Sequence, residues 1–225
     1  MIEALIFDLD DTLYTEYDFV VSGYRAVAHE VALRRGRPEE QVFSDMLTTF
    51  KCEGRGKVLE MVANRYSDSS LSVAEMVEIY RRHQPAIQMP VGYDNLLRRF
   101  RHDYKLGIIT DGLPEVQMRK VQALHLGSAV DKIIYTWEHG REMEKPHPFS
   151  FRLMLDSLGT SHTGALFIGD NPHKDCRGAH NAGMRFVQVA KGGGAGEAAI
   201  YGQDGVADFA INTLHELPDV LRQLS

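Results

Sequence analysis

Two cysteines among 225 residues leave no disulfide framework, and neither Cys52 nor Cys176 sits in a C-x-x-C pair. No apolar run approaches the roughly 18 residues of a membrane span, so no membrane partner is expected. Positive charge is in deficit: 25 Lys and Arg face 31 Asp and Glu, a formal charge of −6. That sign argues against a general nucleic-acid or anionic-membrane binder. There is no repeat with a period of about 20–50 residues and no G-x-x-x-x-G-K-[ST] phosphate loop. The one glycine-rich stretch, Lys191-Gly192-Gly193-Gly194-Ala195-Gly196, follows a late apolar run and reads as a mobile loop. Met1-Ile2-Glu3 lead straight into an apolar stretch without a basic segment, so no signal peptide is expected. The expectation is a soluble, reduced, cytoplasmic protein.

Hydrophobic residues at 44% and charged residues at 25% match a globular chain, long enough for one large domain or a core with an insertion. The apolar residues gather in short runs: Ala4 to Phe7, Leu106 to Ile109, Ile133 to Tyr135, Ala165 to Ile168, Phe186 to Val189 and, more weakly, Phe209 to Ile211. Runs this short and unbroken fit strands buried on both faces of a parallel sheet. Between them Val116, Val121 and Leu124 share a helical face, as do Phe151, Leu155 and Leu158, and Leu214, Leu217, Leu221 and Leu224. Gly159 and Gly183 read as helix stops and Pro148 as part of a first helical turn. The fold class is therefore α/β, a doubly wound parallel sheet. Residues 15–88 have almost no strand-like runs and are rich in helix formers. They read as a helical insertion into a core made of residues 1–14 and 89–225, with Pro85 and Pro90 marking the return.

Chemistry concentrates where four apolar runs end. The first leads into Asp8-Leu9-Asp10-Asp11-Thr12, where carboxylates at i and i+2 of an extended segment point the same way. Such crowding requires a cation or donors, unless Asp10 or Asp11 merely caps the next helix. The second ends in Thr110-Asp111-Gly112, a source of donors for an anion or an ordinary strand-to-helix turn. Lys145-Pro146-His147-Pro148 follows the third; proline restricts the backbone of Lys145, which is otherwise a surface lysine. The fourth precedes Gly169-Asp170-Asn171-Pro172-His173-Lys174-Asp175, with two more carboxylates. Hard oxygen donors in this number suit Mg²⁺ and not zinc. Ligands of open α/β sheets bind beyond the carboxyl ends of the strands, where all four clusters fall. Carboxylates, a cation, a hydroxyl and a lysine are together the parts of a phosphoryl-transfer site.

In these motifs and their order, Asp8-x-Asp10-x-Thr12, Thr110, Lys145-Pro146 and Gly169-Asp170-x-x-x-x-Asp175, the sequence resembles the haloacid dehalogenase-like hydrolase superfamily. Gly178-Ala179-x-x-Ala182-Gly183 is also typical of it, and the helical insertion resembles its C1-type cap. The resemblance implies a Rossmann-like core and a Mg²⁺-dependent phosphatase. Asp8 is then the nucleophile that forms an aspartyl-phosphate, and Asp10 protonates the leaving oxygen and later activates water. The metal is held by the Asp8 carboxylate, the Asp10 backbone carbonyl and Asp170, with Asp175 a further ligand or an orienting group. Thr110, the Asp111 backbone N–H and the Lys145 ammonium bind phosphoryl oxygens, and Lys145 keeps Asp8 ionised. Asp10 argues against dehalogenation, since a halide leaving group needs no acid. Position 111 departs from the many relatives with this cap that carry Asn, and an anion there repels phosphate unless turned away.

A small phosphorylated metabolite, a sugar phosphate or a nucleoside monophosphate, is the expected substrate. A phosphomutase shares the Asp8/Asp10 pair; a phosphoryl-accepting module and an inactive binder are the readings from other classes. Phe50 to Lys57, with two glycines and three cations, reads either as a loop facing the leaving group or as a solvated turn. Arg34-Arg35-Gly36-Arg37 reads as a solvated helix end. Tyr14 and Tyr17 either line the entrance or pack at the cap hinge, His147 and His173 read as structural, and Cys176 as a small buried residue.

Overall fold

The computed structural model describes residues 1–66, 71–190 and 206–224, so the glycine-rich stretch Lys191 to Gly196 lies outside the described residues. Six runs become strands: β1 (Ala4–Phe7), β2 (Lys105–Thr110), β3 (Lys132–Tyr135), β4 (Ala165–Gly169), β5 (Arg185–Val189) and β6 (Phe209–Ile211). They pair in the order β3-β2-β1-β4-β5-β6, every pair parallel. The order reverses beside β1: β2 and β3 build outward on one side, β4, β5 and β6 on the other. A crevice therefore opens at the carboxyl ends of β1 and its neighbours, where ligands of such sheets bind.

The chain folds as two compact units, Met1–Thr15 with Gln88–Ser225, and Glu16–Ile87. In the sheet-containing unit every β1 residue is buried, so both faces must be covered. One face, with Ala4, Ile6 and Phe167, joins a core with Phe151, Met154 and Leu155 of helix α7 (Phe149–Leu158). Pro148 stands at the N-cap of α7, just before its first turn, and Gly159 ends the helix in a left-handed conformation, φ 59°. The remaining helices of this unit are α5 (Tyr93–Asp103), α6 (Pro114–Ala123), α8 (Arg177–Asn181) and α9 (Leu217–Gln223).

The second unit is built on four helices, α1 (Glu16–Arg35), α2 (Glu39–Glu53), α3 (Val58–Arg65) and α4 (Val73–Arg82), with no strand among its described residues. Val20, Tyr24, Val27, Ala28 and Val31 recur at helical spacing on α1 and pack with Val42 and Met46 of α2, Val62 of α3 and Met76 of α4. Ser72 and Glu75 form a reciprocal capping box at the start of α4. The Arg34 guanidinium pairs with Glu30 and, at 3.5 Å, with Glu75, as a solvated helix end does. Among the described residues no helix is long and apolar enough to cross a membrane.

Phe151 is fully buried, its ring 4.8 Å from that of Phe167. Gly178 of α8 comes so close that a Cβ there would overlap the Phe151 ring. Nothing nearby can expand to refill the space, so Phe151→Ala should cost about 3–5 kcal/mol. Urea unfolding should report this as a lower midpoint at unchanged slope. Val91→Ala, at a 95% exposed position, should stay within about 0.5 kcal/mol.

Candidate active site

Each motif reaches the crevice from the end of a strand or the loop just after it. Asp8 is the residue after β1, and its N–H still bonds Ile168 O of β4 at 2.8 Å, which carries the strand geometry one residue further. Asp11 then turns the chain in the left-handed region, φ 57°, a conformation aspartate tolerates. Thr110 is the last residue of β2. Lys145 lies in the loop between β3 and α7 and precedes a cis proline bond. Asp170 follows β4 directly, and Asp175 lies in a π-helical turn, Pro172–Cys176, capped by the Asn171 side chain at His173 N and Lys174 N. Such turns are frequent at functional sites.

Asp8, Asp170 and Asp175 bring one carboxylate oxygen each to within 4.8 Å of one another. Lys145 is inserted between two of them. Its Nζ donates to Asp8 Oδ1 and to Ile109 O at 3.3 Å, and lies 2.8 Å from Asp175 Oδ1. That last contact is an ion pair without hydrogen-bond alignment, so Asp175 Oδ1 is buried and lacks a hydrogen-bond partner. Thr12 Oγ1 approaches Asp8 Oδ2 at 3.5 Å. Burial pushes the Asp8 carboxyl well above its ordinary value; Lys145 pulls it down, Asp175 pushes it further up, and the balance stays upward. Lys145 thus acts on Asp8 in the expected direction, and burial with Asp175 outweighs it. Burial also works against the Lys145 ammonium, but Asp175, Asp8 and Asp111 outweigh it and hold it protonated.

Three carboxylates converge here, those of Asp8 and Asp175 almost fully buried. Carboxylate oxygens this close to one another fit a hard divalent cation. The cradle is built for this crowding: a Cβ on Gly169 would overlap the Asp175 carboxylate, so only glycine lets that side chain in.

The Asp10 side chain stands outside this group of three. Its Oδ1 accepts from Tyr14 OH and from Lys120 Nζ at 2.7 Å; its Oδ2 accepts from Lys120 Nζ at 2.9 Å and Gln117 Nε2 at 2.8 Å. Burial alone would raise this carboxyl, but Lys120, Tyr14 and Gln117 outweigh it and hold Asp10 below its ordinary value. Only the backbone carbonyl of Asp10 is left for the metal role expected of it. Asp111 is turned away from the crevice. Its Oδ1 accepts from Thr136 Oγ1 at 2.8 Å and Lys145 N at 3.1 Å, and its Oδ2 from Lys174 Nζ at 3.4 Å. The carboxylate thus ties the Lys145 loop to the Asp170–Asp175 turn.

Gln117 and Lys120 escaped the sequence reading. Both lie on α6, 2% and 3% exposed, on the face that also buries Val121 and Leu124. Val116, expected on that face, is only half-buried. The available signal was two polar residues at i and i+3 inside an apolar helical stripe just after Thr110. Tyr14, left between entrance and hinge, is buried and serves Asp10.

Other candidates have the following surroundings. In the 50–57 segment Gly54 turns at φ 83°, Arg55 pairs with Glu16 at 3.0 Å and Lys57 with Glu60 at 3.1 Å. Cys176 Sγ, His180 and Asp208 stand in the order of a thiol triad, at 3.7 and 2.9 Å. Burial pushes that thiol up to about 11, so it is no nucleophile at neutral pH.

Residues 5–189 match the haloacid dehalogenase-like hydrolase family. A glyceraldehyde 3-phosphate phosphatase of Methanocaldococcus jannaschii is 28% identical, the match covering 100% of this chain and 99% of the relative. Pyrophosphatase PpaX of Halalkalibacterium halodurans is 26% identical over 98% of this chain and 95% of its own. The crystal structure of a 2-haloacid dehalogenase from Pseudomonas syringae pv. Tomato superposes with a TM-score of 0.70 at 24% identity over the whole of both chains, a likeness of fold. With its four motifs gathered at the strand ends and more than half its length matched, this chain belongs to the haloacid dehalogenase-like hydrolases.

Proposed function

We propose that the chain is a Mg²⁺-dependent phosphatase that hydrolyses the phosphoric monoester of a small metabolite, a sugar phosphate or nucleoside monophosphate, through an aspartyl-phosphate on Asp8. The observation that carries this reading is the Lys145 ammonium seated between Asp8 and Asp175 within a three-carboxylate group. Relatives named as phosphatases support it. Asp10 separates it from dehalogenation, because an alkoxide leaving group needs a proton and a halide does not.

Asp8, which a bound cation beside Lys145 would bring to its charged form, attacks phosphorus while the ester P–O bond breaks. Asp10, which must first take up a proton against the Lys120, Tyr14 and Gln117 donors, gives it to the leaving oxygen. Asp10 then takes a proton from water as the water attacks the aspartyl-phosphate, which releases inorganic phosphate and restores the acid for the next turnover. Lys145, the Thr110 hydroxyl and the Asp111 backbone N–H hold phosphoryl oxygens in this scheme. Mg²⁺ would be held by the Asp8 and Asp170 carboxylates and the Asp10 carbonyl, with Asp175 as ligand or orienting group. When bound, it neutralises the charge of the transferring phosphoryl group. The inserted helical unit is read as the family's cap, which selects the leaving group and excludes water during the reaction.

The deciding experiment is phosphate release from a panel of sugar phosphates, glyceraldehyde 3-phosphate among them, nucleoside monophosphates and phosphoacids. Release from a few of them, lost with chelator and restored by Mg²⁺, is expected; no release from any would reject the reading. Asp8→Asn should abolish turnover with an unchanged circular-dichroism spectrum, and near-wild-type activity would remove Asp8 as nucleophile. Asp10→Asn should slow turnover by about 10²-fold or more. Gly169→Ala, which displaces Asp175, should raise the Mg²⁺ concentration for half-maximal activity by about tenfold, the lower range for loss of a ligand-orienting contact. An unchanged requirement in a metal titration would count against the cradle.

A further inference from the structure

The mechanism above uses Thr110 and Asp10 but gives no role to Gln117, a side chain that touches both. Gln117 reaches from α6 into the buried space between them, and its Nε2 lies 2.8 Å from Asp10 Oδ2 and 2.5 Å from Thr110 Oγ1. An amide nitrogen has two hydrogens and no lone pair to offer, so both contacts are donations. Turning the amide over would set its carbonyl oxygen against a carboxylate, so the charge of Asp10 fixes which end of the amide faces inward. Lys120 Nζ, at 2.7 and 2.9 Å from the two Asp10 oxygens, holds that carboxylate in place and with it the anchor for Gln117.

The consequence falls on Thr110. A threonine hydroxyl has a single hydrogen and can rotate to give it to any acceptor within reach. With one lone pair taken by the Gln117 N–H, Thr110 cannot spend its hydrogen on Gln117 and keeps it for another acceptor. Thr110 is 1% exposed, so water is no ready alternative.

We propose that Gln117 is a positioning residue that commits the Thr110 hydroxyl to donate to a phosphoryl oxygen and locks that commitment to the seat of Asp10. The inference rests on the reading of Thr110 as a phosphoryl-binding group. One amide thereby aligns the anion-binding hydroxyl with the proton-transferring carboxylate, although it meets neither phosphate nor metal.

The test compares Gln117→Glu, nearly the same shape but rich in acceptors, with Gln117→Met, of similar length and without polar hydrogens. Binding of inorganic phosphate in the presence of Mg²⁺ is measured by calorimetry, and turnover separately. Met leaves the Thr110 hydrogen free but undirected and should weaken phosphate binding by about tenfold, the scale of one hydrogen bond. Glu accepts the Thr110 hydrogen, turns it from the phosphate and crowds Asp10, so its loss should be larger, about 10²-fold. Glu worse than Met, with both variants folded by urea unfolding, is the expected order, since a packing role alone would not rank them so. If the Glu variant does not fold, the tenfold loss in the Met variant decides.

Phosphate binding within about threefold of wild type in both variants, or Met at least as damaging as Glu, would overturn the proposal. So would a wild-type protein without affinity for phosphate. A wild-type protein that binds phosphate but hydrolyses no panel compound would reject the phosphatase reading and still leave Gln117 to be judged by binding.

Discussion

The structure is organised around a concentration of carboxylates at the ends of its central strands. Asp8, Asp170 and Asp175 converge at the carboxyl ends of β1 and β4, two of them almost fully buried, against the single ammonium of Lys145. In water such a group would spread apart. Here the strands fix the separations, because Asp8 continues the β1–β4 hydrogen bonding and Asp170 leaves β4 directly. Burial raises Asp8, and a hard cation bound there would lower that cost beyond what Lys145 does.

Much of the surrounding backbone answers to this arrangement. Gly169 gives up its side chain so that Asp175 can enter, and the π-helical turn Pro172–Cys176 presents Asp175 with its Oδ2 accepting from Asn171 N at 3.0 Å. Asp111, at a position where an exposed anion would repel phosphate, has its charge drawn off by Lys174, Thr136 and the Lys145 N–H. The replacement of the commoner asparagine thus becomes a tie between two loops that each carry a charged group of the site.

The sheet was legible because its strands are buried on both faces and so read as unbroken apolar runs with sharp ends; all six appear where those runs lie. The motif residues were legible because each stands at such an end. What escaped was the support. Gln117 and Lys120 lie in a helix whose apolar stripe was counted from Val116, one residue away from the face the helix actually buries. A buried lysine reads as surface in any count of hydrophobic residues, since nothing local reveals that Asp10, 110 positions earlier, will pair with it. The fate of Asp111 was half legible: repulsion required it to turn away, but its partners come from loops far along the chain.

Asp8 and Asp10 are two residues apart on one strand end, chemically identical in isolation, and the fold gives them different neighbours. Asp8 faces Lys145 from the β3–α7 loop together with two further carboxylates; Asp10 faces Lys120, Gln117 and Tyr14. The balance is upward for the first and downward for the second, although burial works upward on both. These directions are the reverse of what the two proposed tasks need, so in the proposed mechanism a bound cation would have to lower Asp8 and Asp10 would have to gain its proton against its donors. A nucleophile needs a cation to be charged and aimed, whereas a proton carrier needs donors that define which oxygen exchanges the proton. The parallel sheet supplies the adjacency, and the helix after β2 and the loop after β3 supply the difference, through two lysines that the sequence keeps 25 residues apart.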